Sequence, residues 1–160
     1  RECFDSAAAM VANFYGVVKS QDAYRQVRRK FGDTTEVNAQ VSALRSLGLG
    51  AEFRKNTRVE DIEIEIDAGR PLMVGWLHQG DFLKGKPAVC DTNSCGHWSV
   101  IIGYDKDNFI AMDPMGKPDM EHGGHDTTKS GKMIRMSRPA FYQRFLIEGE
   151  ASGWAIFVDQ

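Results

Sequence analysis

The chain has little of what would classify it at a glance. Its 160 residues hold three cysteines, too few for a disulfide framework and odd in number, so at least one thiol is left unpaired. Cys90 and Cys95 are close enough to bridge in an oxidising compartment, or to stay as two reduced loop thiols in a cytoplasm, and their spacing does not choose between these. No apolar stretch approaches the roughly 20 residues of a membrane span, and nothing at the start resembles a signal peptide, so the chain is expected to be soluble with no membrane span. Neither sign of charge dominates: 20 Lys and Arg face 22 Asp and Glu, a formal net charge of -2, which gives no reason to expect nucleic acid or an anionic membrane as partner. The basic run from Arg25 to Lys30 has helical spacing and reads as a solvated helix face. There is no internal repeat and no linker. One real core fits this length and two ordinary domains do not, so a single domain over residues 1–160 is expected. The first residue is Arg1 rather than methionine, and upstream residues are expected to have been processed or omitted.

The elements follow from periodicity and punctuation. Ala7, Met10, Val11 and Phe14 form one stripe, predicting a helix from Cys3 to Tyr15 that stops at Gly16. Ser20 is a cap for a second helix carrying Tyr24, Val27 and Phe31. A third helix, after Thr35, carries Val37, Val41, Leu44 and Leu47 and ends at Gly48. The chain then extends through Leu49 to Phe53. Residues 61–67 alternate like a strand, yet Thr57 to Glu60 has the form of a capping box, so a short helix with Val59, Ile62 and Ile66 inward is expected. From there the pattern turns to β: strands are predicted at 72–77, 97–104, 109–113, near 132–136 and at 153–158, with a helix capped by Ser137 and carrying Pro139 in its first turn. Residues 78–96 and 115–131 are polar, glycine-bearing stretches too long for simple turns, a length associated with lids and binding segments. Helices first and an antiparallel sheet second make an α+β layout.

Cys3, His97 and Asp113 follow one another in the order of a thiol hydrolase. A thiol of ordinary pKa about 8.5 is mostly protonated at neutral pH, so it needs an imidazole to take its proton and a third polar group to fix the tautomer. Cys3 sits where a helix begins, with free backbone N–H groups and the positive end of the dipole beside it. His97, after a glycine and before an apolar run, reads as an exposed residue at the lip of a sheet. Asp113 ends the neighbouring strand, and adjacent antiparallel strands are only about 5 Å apart. Trp76 and Trp98 read as core or groove walls.

These segments carry a resemblance. The run from Arg1 to Gly16, with an acidic residue before the cysteine and Tyr-Gly at its end, resembles the nucleophile helix of C39-like cysteine peptidases of papain-like fold, the group that includes bacteriocin-processing peptidase domains. Residues 35–51 look like that family's third helix and following strand, 69–74 like its first central strand, 96–104 like its histidine strand, and 110–114 like the segment with its aspartate. The resemblance implies a papain-like fold with the N-terminal helices packed on an antiparallel sheet, and a Cys-His-Asp triad of Cys3, His97 and Asp113 acting on a peptide or protein substrate without a cofactor. It also implies a glutamine several residues before the cysteine that donates to the oxyanion. The chain holds no residues there, so either the protein begins earlier, within a larger protein or assembly, or this is a degenerate member.

A metal site can be imagined from His122, His125 and Asp126 with Cys90 and Cys95, but Cys-x4-Cys and His-x2-His are not the spacings of a common zinc module, and none is expected. Gly123 and Gly124 read as loop punctuation. Three functions remain: a cysteine peptidase, a hydrolase of peptidoglycan peptides in a phage particle or lysis system, and a catalytically silent domain that binds peptide or serves as a structural module.

Overall fold

The computed structural model describes residues 2–81 and 95–160. Helix α1 (Cys3–Phe14) is rich in alanine, and its buried Ala7, Ala8, Val11 and Ala12 let its backbone approach the sheet closely. The apolar stripe runs out earlier than its spacing predicts. Phe14 is 59% exposed, while Tyr15 turns back and donates its hydroxyl to the Val158 carbonyl at 3.1 Å. Helix α2 (Gln21–Arg28) is capped by Ser20, whose hydroxyl accepts from the Ala23 N–H at 3.0 Å. Its basic run is not uniformly a solvated face: Arg28 is buried and pairs with the equally buried Asp5 through Nη2 to Oδ2 at 2.7 Å and Nε to Oδ1 at 2.9 Å. Periodicity counts every arginine as polar, and cannot show that a carboxylate on the neighbouring helix draws one inward.

Helix α3 (Val37–Ser46) leads into strand β1 (Gly50–Thr57). The ambiguous segment after it is a helix, α4 (Val59–Asp67), with Val59 and Ile62 buried. Its capping contact lies one residue later than expected, because the Asp61 carboxylate accepts from the Arg58 N–H at 2.9 Å while Thr57 is still in the strand. Strands β2 (Leu72–Leu77), β3 (Gly96–Tyr104) and β4 (Asn108–Met112) follow. Within residues 115–131, read from sequence as a polar, glycine-bearing stretch with no strand, β5 (Lys117–Pro118) and β6 (His125–Asp126) form a small ribbon. Strand β7 (Ile134–Ser137), helix α5 (Arg138–Phe145) and strand β8 (Gly153–Asp159) complete the chain. Ser137 precedes α5 without a side-chain cap bond. Arg138 N–H instead donates to the Asp107 carbonyl at 2.9 Å.

Among the described residues, six antiparallel strands lie in the order β1-β8-β2-β3-β4-β7. Alternation along β3 sends Trp98 and Val100 into a core shared with α1 to α3, and Ile101 into a second core shared with α4 and α5. The sheet is therefore a wall between two helical layers. Its β3 end meets the start of α1, and the chemistry-bearing residues converge there.

Candidate active site

Cys3 is the first residue of α1, and Phe4 beside it stacks on Trp98 with ring centroids 4.2 Å apart and planes 3° from parallel. Trp98 in turn lies over Gly75 of β2, where an added Cβ would come within 3.0 Å of the indole. This contact of α1 with the neighbouring strands β3 and β2 fixes the thiol relative to the strand that carries His97. Backbone N–H groups of a first helical turn have no partner within the helix, so the thiol also stands where a negative charge is favoured.

His97 is the second residue of β3, paired with Trp76 across the strands. It is 1% exposed, not an exposed residue at the sheet lip as the flanking glycine predicts. The rings of Trp76, His78 and His125 enclose it, with centroids 5.4, 4.8 and 4.5 Å away. Trp76 is held by its own bond from Nε1 to Ser99 Oγ at 2.8 Å. The register of β3 and β4, with Val100 opposite Met112, continues to place Asp113 opposite Ser99 and diagonal to His97 on the same face. His97 Nε2 accordingly lies 2.8 Å from Asp113 Oδ2. That contact leaves Nδ1 for Cys3, and Nδ1 has no hydrogen-bond partner of good geometry among the described residues. The Cys3 thiol and the His97 imidazole act on each other directly, each favouring the charged form of the other.

Asp113 is anchored from several sides. Its N–H donates to the Gly131 carbonyl at 2.8 Å, and Gly131 must be a glycine because a Cβ would come within 2.0 Å of the Asp113 carbonyl oxygen. Its Oδ1 accepts from the Met115 N–H at 2.8 Å, an Asx turn across Pro114. Its Oδ2 is shared, since His125 Nε2 also lies 3.1 Å from it. His125 Nδ1 is in turn 3.2 Å from His78 Nδ1.

Electrostatics follow from this arrangement. Burial alone would raise the Asp113 carboxyl, but hydrogen bonds from His125 and then His97 outweigh it and hold the group at about 2. Burial would strip His97 of its proton, yet the bond to Asp113, followed by the Cys3 thiolate, lifts it to about 9. Cys3 is lowered: burial opposes ionisation, and the His97 imidazolium and the Trp98 N–H overcome it. A raised imidazole beside a lowered thiol is the pattern of an ion pair.

The structure thus brings together Cys3, His97 and Asp113, three residues from α1, the start of β3 and the end of β4. It does not gather the metal grouping imagined from sequence. His122 faces outward to Asp119 at 3.4 Å, and Asp126 accepts from the Thr128 hydroxyl and N–H. Cys95 is disulfide-bonded and Cys3 is free, while Cys90 and most of the long segment 78–96 lie outside the described residues. Ring nitrogens of His78, His97 and His125 do lie within 4.8 Å of one another. Both Nε2 atoms of His97 and His125 are engaged by Asp113, however, and the Nδ1 atoms of His125 and His78 by each other. Sequence reasoning passed over His78 and weighed His125 only as a metal ligand. The available signal was that His78 directly follows one expected strand and His97 begins another, while nothing local pointed to His125.

Beside His97 opens a cleft of about 330 Å³ walled by Gly75, Trp76, Trp98, Phe145 and Trp154, so both tryptophans singled out from sequence line it. The profile of the Peptidase_C39 like family matches residues 1–134. The chain belongs to that family. Similar solved structures agree in fold. The peptidase domain of Streptococcus ComA, a bi-functional ABC transporter involved in a quorum-sensing pathway, superposes with a TM-score of 0.59 at 22% identity, covering 99% of this chain and 91% of that one. A C39-like peptidase from Bacillus anthracis gives 0.64 at 15% identity, covering 100% and 89%. A double-glycine-motif protease from an AMS/PCAT transporter, solved with a leader peptide, gives 0.58 at 17% identity, covering 98% and 83%. No curated protein matches the chain in sequence. The fold is that of a papain-like C39 peptidase domain, with helices on an antiparallel sheet. Among the described residues no helix is long and apolar enough to cross a membrane.

Proposed function

We propose that this C39-like domain is a cysteine peptidase in which Cys3 is the nucleophile, His97 the general base and later acid, and Asp113 the group that orients the imidazole. The observation that carries the reading is the division of labour at His97: Nε2 is held by a buried carboxylate, and Nδ1 is left open beside a free thiol. The Cys3 thiolate attacks the carbonyl carbon of the scissile amide, and the resulting oxyanion is met by N–H groups at the start of α1. The tetrahedral adduct collapses as His97 gives its Nδ1 proton to the departing amine, leaving a thioester on Cys3. His97 then takes a proton from water as hydroxide attacks the thioester, and the adduct collapses to release the acid and the Cys3 thiolate, restoring the thiolate beside the His97 imidazolium.

A peptide is the substrate class that fits the apolar cleft beside His97. The neighbour from an AMS/PCAT transporter is a double-glycine-motif protease bound to a leader peptide, so peptides with a Gly-Gly pair are the first to test. The experiment is to follow cleavage of such a peptide set and of cell-wall digests by mass spectrometry, with Cys3→Ala as control. Cleavage of the peptides that disappears in Cys3→Ala is expected. Cleavage of wall peptides alone would move the protein to the lysis class, and no cleavage of either would leave a binding domain.

A further inference from the structure

On that reading of the site, we infer that His125 is a positioning residue for Asp113, part of a five-residue chain running Cys3, His97, Asp113, His125, His78. Hydrogen-bond chemistry determines its proton arrangement. Asp113 Oδ2 can only accept when ionised, so both Nε2 atoms facing it, 2.8 Å away on His97 and 3.1 Å away on His125, must carry hydrogen. A neutral His125 with hydrogen on Nε2 presents a bare Nδ1, and the 3.2 Å contact then requires His78 Nδ1 to donate to it. The chain therefore fixes Nε2 as the hydrogen-bearing nitrogen of both His97 and His125 through one oxygen, and leaves His97 Nδ1 as the position that exchanges a proton with Cys3.

The carboxylate plane is clamped at two points, Oδ1 by Met115 N–H and Oδ2 by His125, and that orientation aims Oδ2 at His97. Asp119 N–H donates to the Gly124 carbonyl at 2.9 Å, and Gly124 N–H to the His78 carbonyl at 2.6 Å. The fold invests in placing His125. Arg144 of α5, fully buried, donates to the carbonyls of Leu77, Gln79 and Gly80 on one side and of Met120 and Glu121 on the other. It thereby ties the segment bearing His78 to the ribbon bearing His125. Gly123 and Gly124, with φ of 88° and 80°, are more than punctuation: a Cβ on Gly123 would lie 2.7 Å from the Gly80 nitrogen. The titratable groups facing this pair are His97 from β3, with Cys3 of α1 behind it, and His78 from the end of β2; Arg144 faces backbone carbonyls.

The test is iodoacetamide labelling of Cys3, resolved by peptide mass spectrometry, at pH 6 in EDTA, for wild type, His125→Phe, His125→Leu and His125→Gln, with melting curves for each. Gln keeps an N–H at the ε position, whereas Phe and Leu fill space without one. Wild type should label readily, the apolar variants about tenfold more slowly, equivalent to one pH unit in thiolate formation, and His125→Gln within about threefold of wild type. Apolar variants that label as fast as wild type overturn the inference alone. Slow labelling that Gln does not restore also overturns it, because His125 is then only a space-filler. Wild type that does not label at pH 6 overturns the peptidase reading itself, and the inference with it.

Discussion

Two buried polar networks meet at the first turn of α1, and they differ in one respect. The first joins Asp5 to Arg28 through two short bonds, to Gln40 at 2.8 Å, and onward to the Tyr24 hydroxyl, with Gln40 also donating to the Thr34 carbonyl. It is built on a permanent charge pair. The second joins Asp113 to His97, His125 and His78, groups that change protonation, and it stops at an open nitrogen, His97 Nδ1, beside a free thiol. A closed network of fixed charges specifies packing; an open one of titratable groups keeps a valence for chemistry. Asp5 and Cys3 are two residues apart on one helix, so α1 serves both.

The largest losses are expected at the open end. Cys3→Ala and His97→Ala should each lower hydrolysis by a factor on the order of 10⁴, while both variants remain folded. At the closed end the expectation inverts. Arg28→Met strips buried Asp5 of its two short charged bonds, leaving it Gln40 and the more distant Arg25 at 3.8 Å, and should cost about 3 kcal/mol of stability in denaturant titration, with much of it recovered in the Arg28→Met, Asp5→Leu double variant. Asp113→Asn removes the carboxylate but keeps the shape, and should lower kcat by a factor on the order of 10², less than loss of the nucleophile.

Smaller effects sharpen the contrast. His97 is raised from 6.5 unfolded to about 9 folded, so the stability it contributes is fully present below pH 6.5 and is lost as pH rises through 9. Asp113 is lowered from 3.8 to about 2, so its contribution is fully present above pH 3.8 and is lost as pH falls through 2. Melting temperature against pH should show both limbs in wild type, and His97→Ala should flatten the alkaline one; an unchanged alkaline limb would put the proton elsewhere. Gly123→Ala forces a side chain into a left-handed backbone against Gly80, and should cost about 1 to 3 kcal/mol.

Much of this was legible in the sequence because it rests on local rules. The stop at Gly16, the Ser20 cap, the strands of the sheet and the seats of Cys3, His97 and Asp113 all follow from spacing and punctuation. What was not legible is what two distant segments do to each other. Burial of His97 comes from Trp76, His78 and His125, residues 21, 19 and 28 positions away in the chain. Arg28 reads as surface until Asp5 is seen opposite it. The ribbon of β5 and β6 has strands of two residues each, too short for any periodicity, and is held by Arg144 through backbone carbonyls that carry no sequence signal.

In the proposed site Cys3 and His97 share a proton as a thiolate and an imidazolium. The most direct measurement of that ion pair is the ultraviolet thiolate absorbance of wild type minus that of Cys3→Ala, titrated with pH and repeated in the His97→Ala background. A thiolate should already be present at pH 6 and, without His97, should appear only near the ordinary thiol value of about 8.5. A wild-type thiolate that forms only near pH 8.5, indifferent to His97, would contradict it.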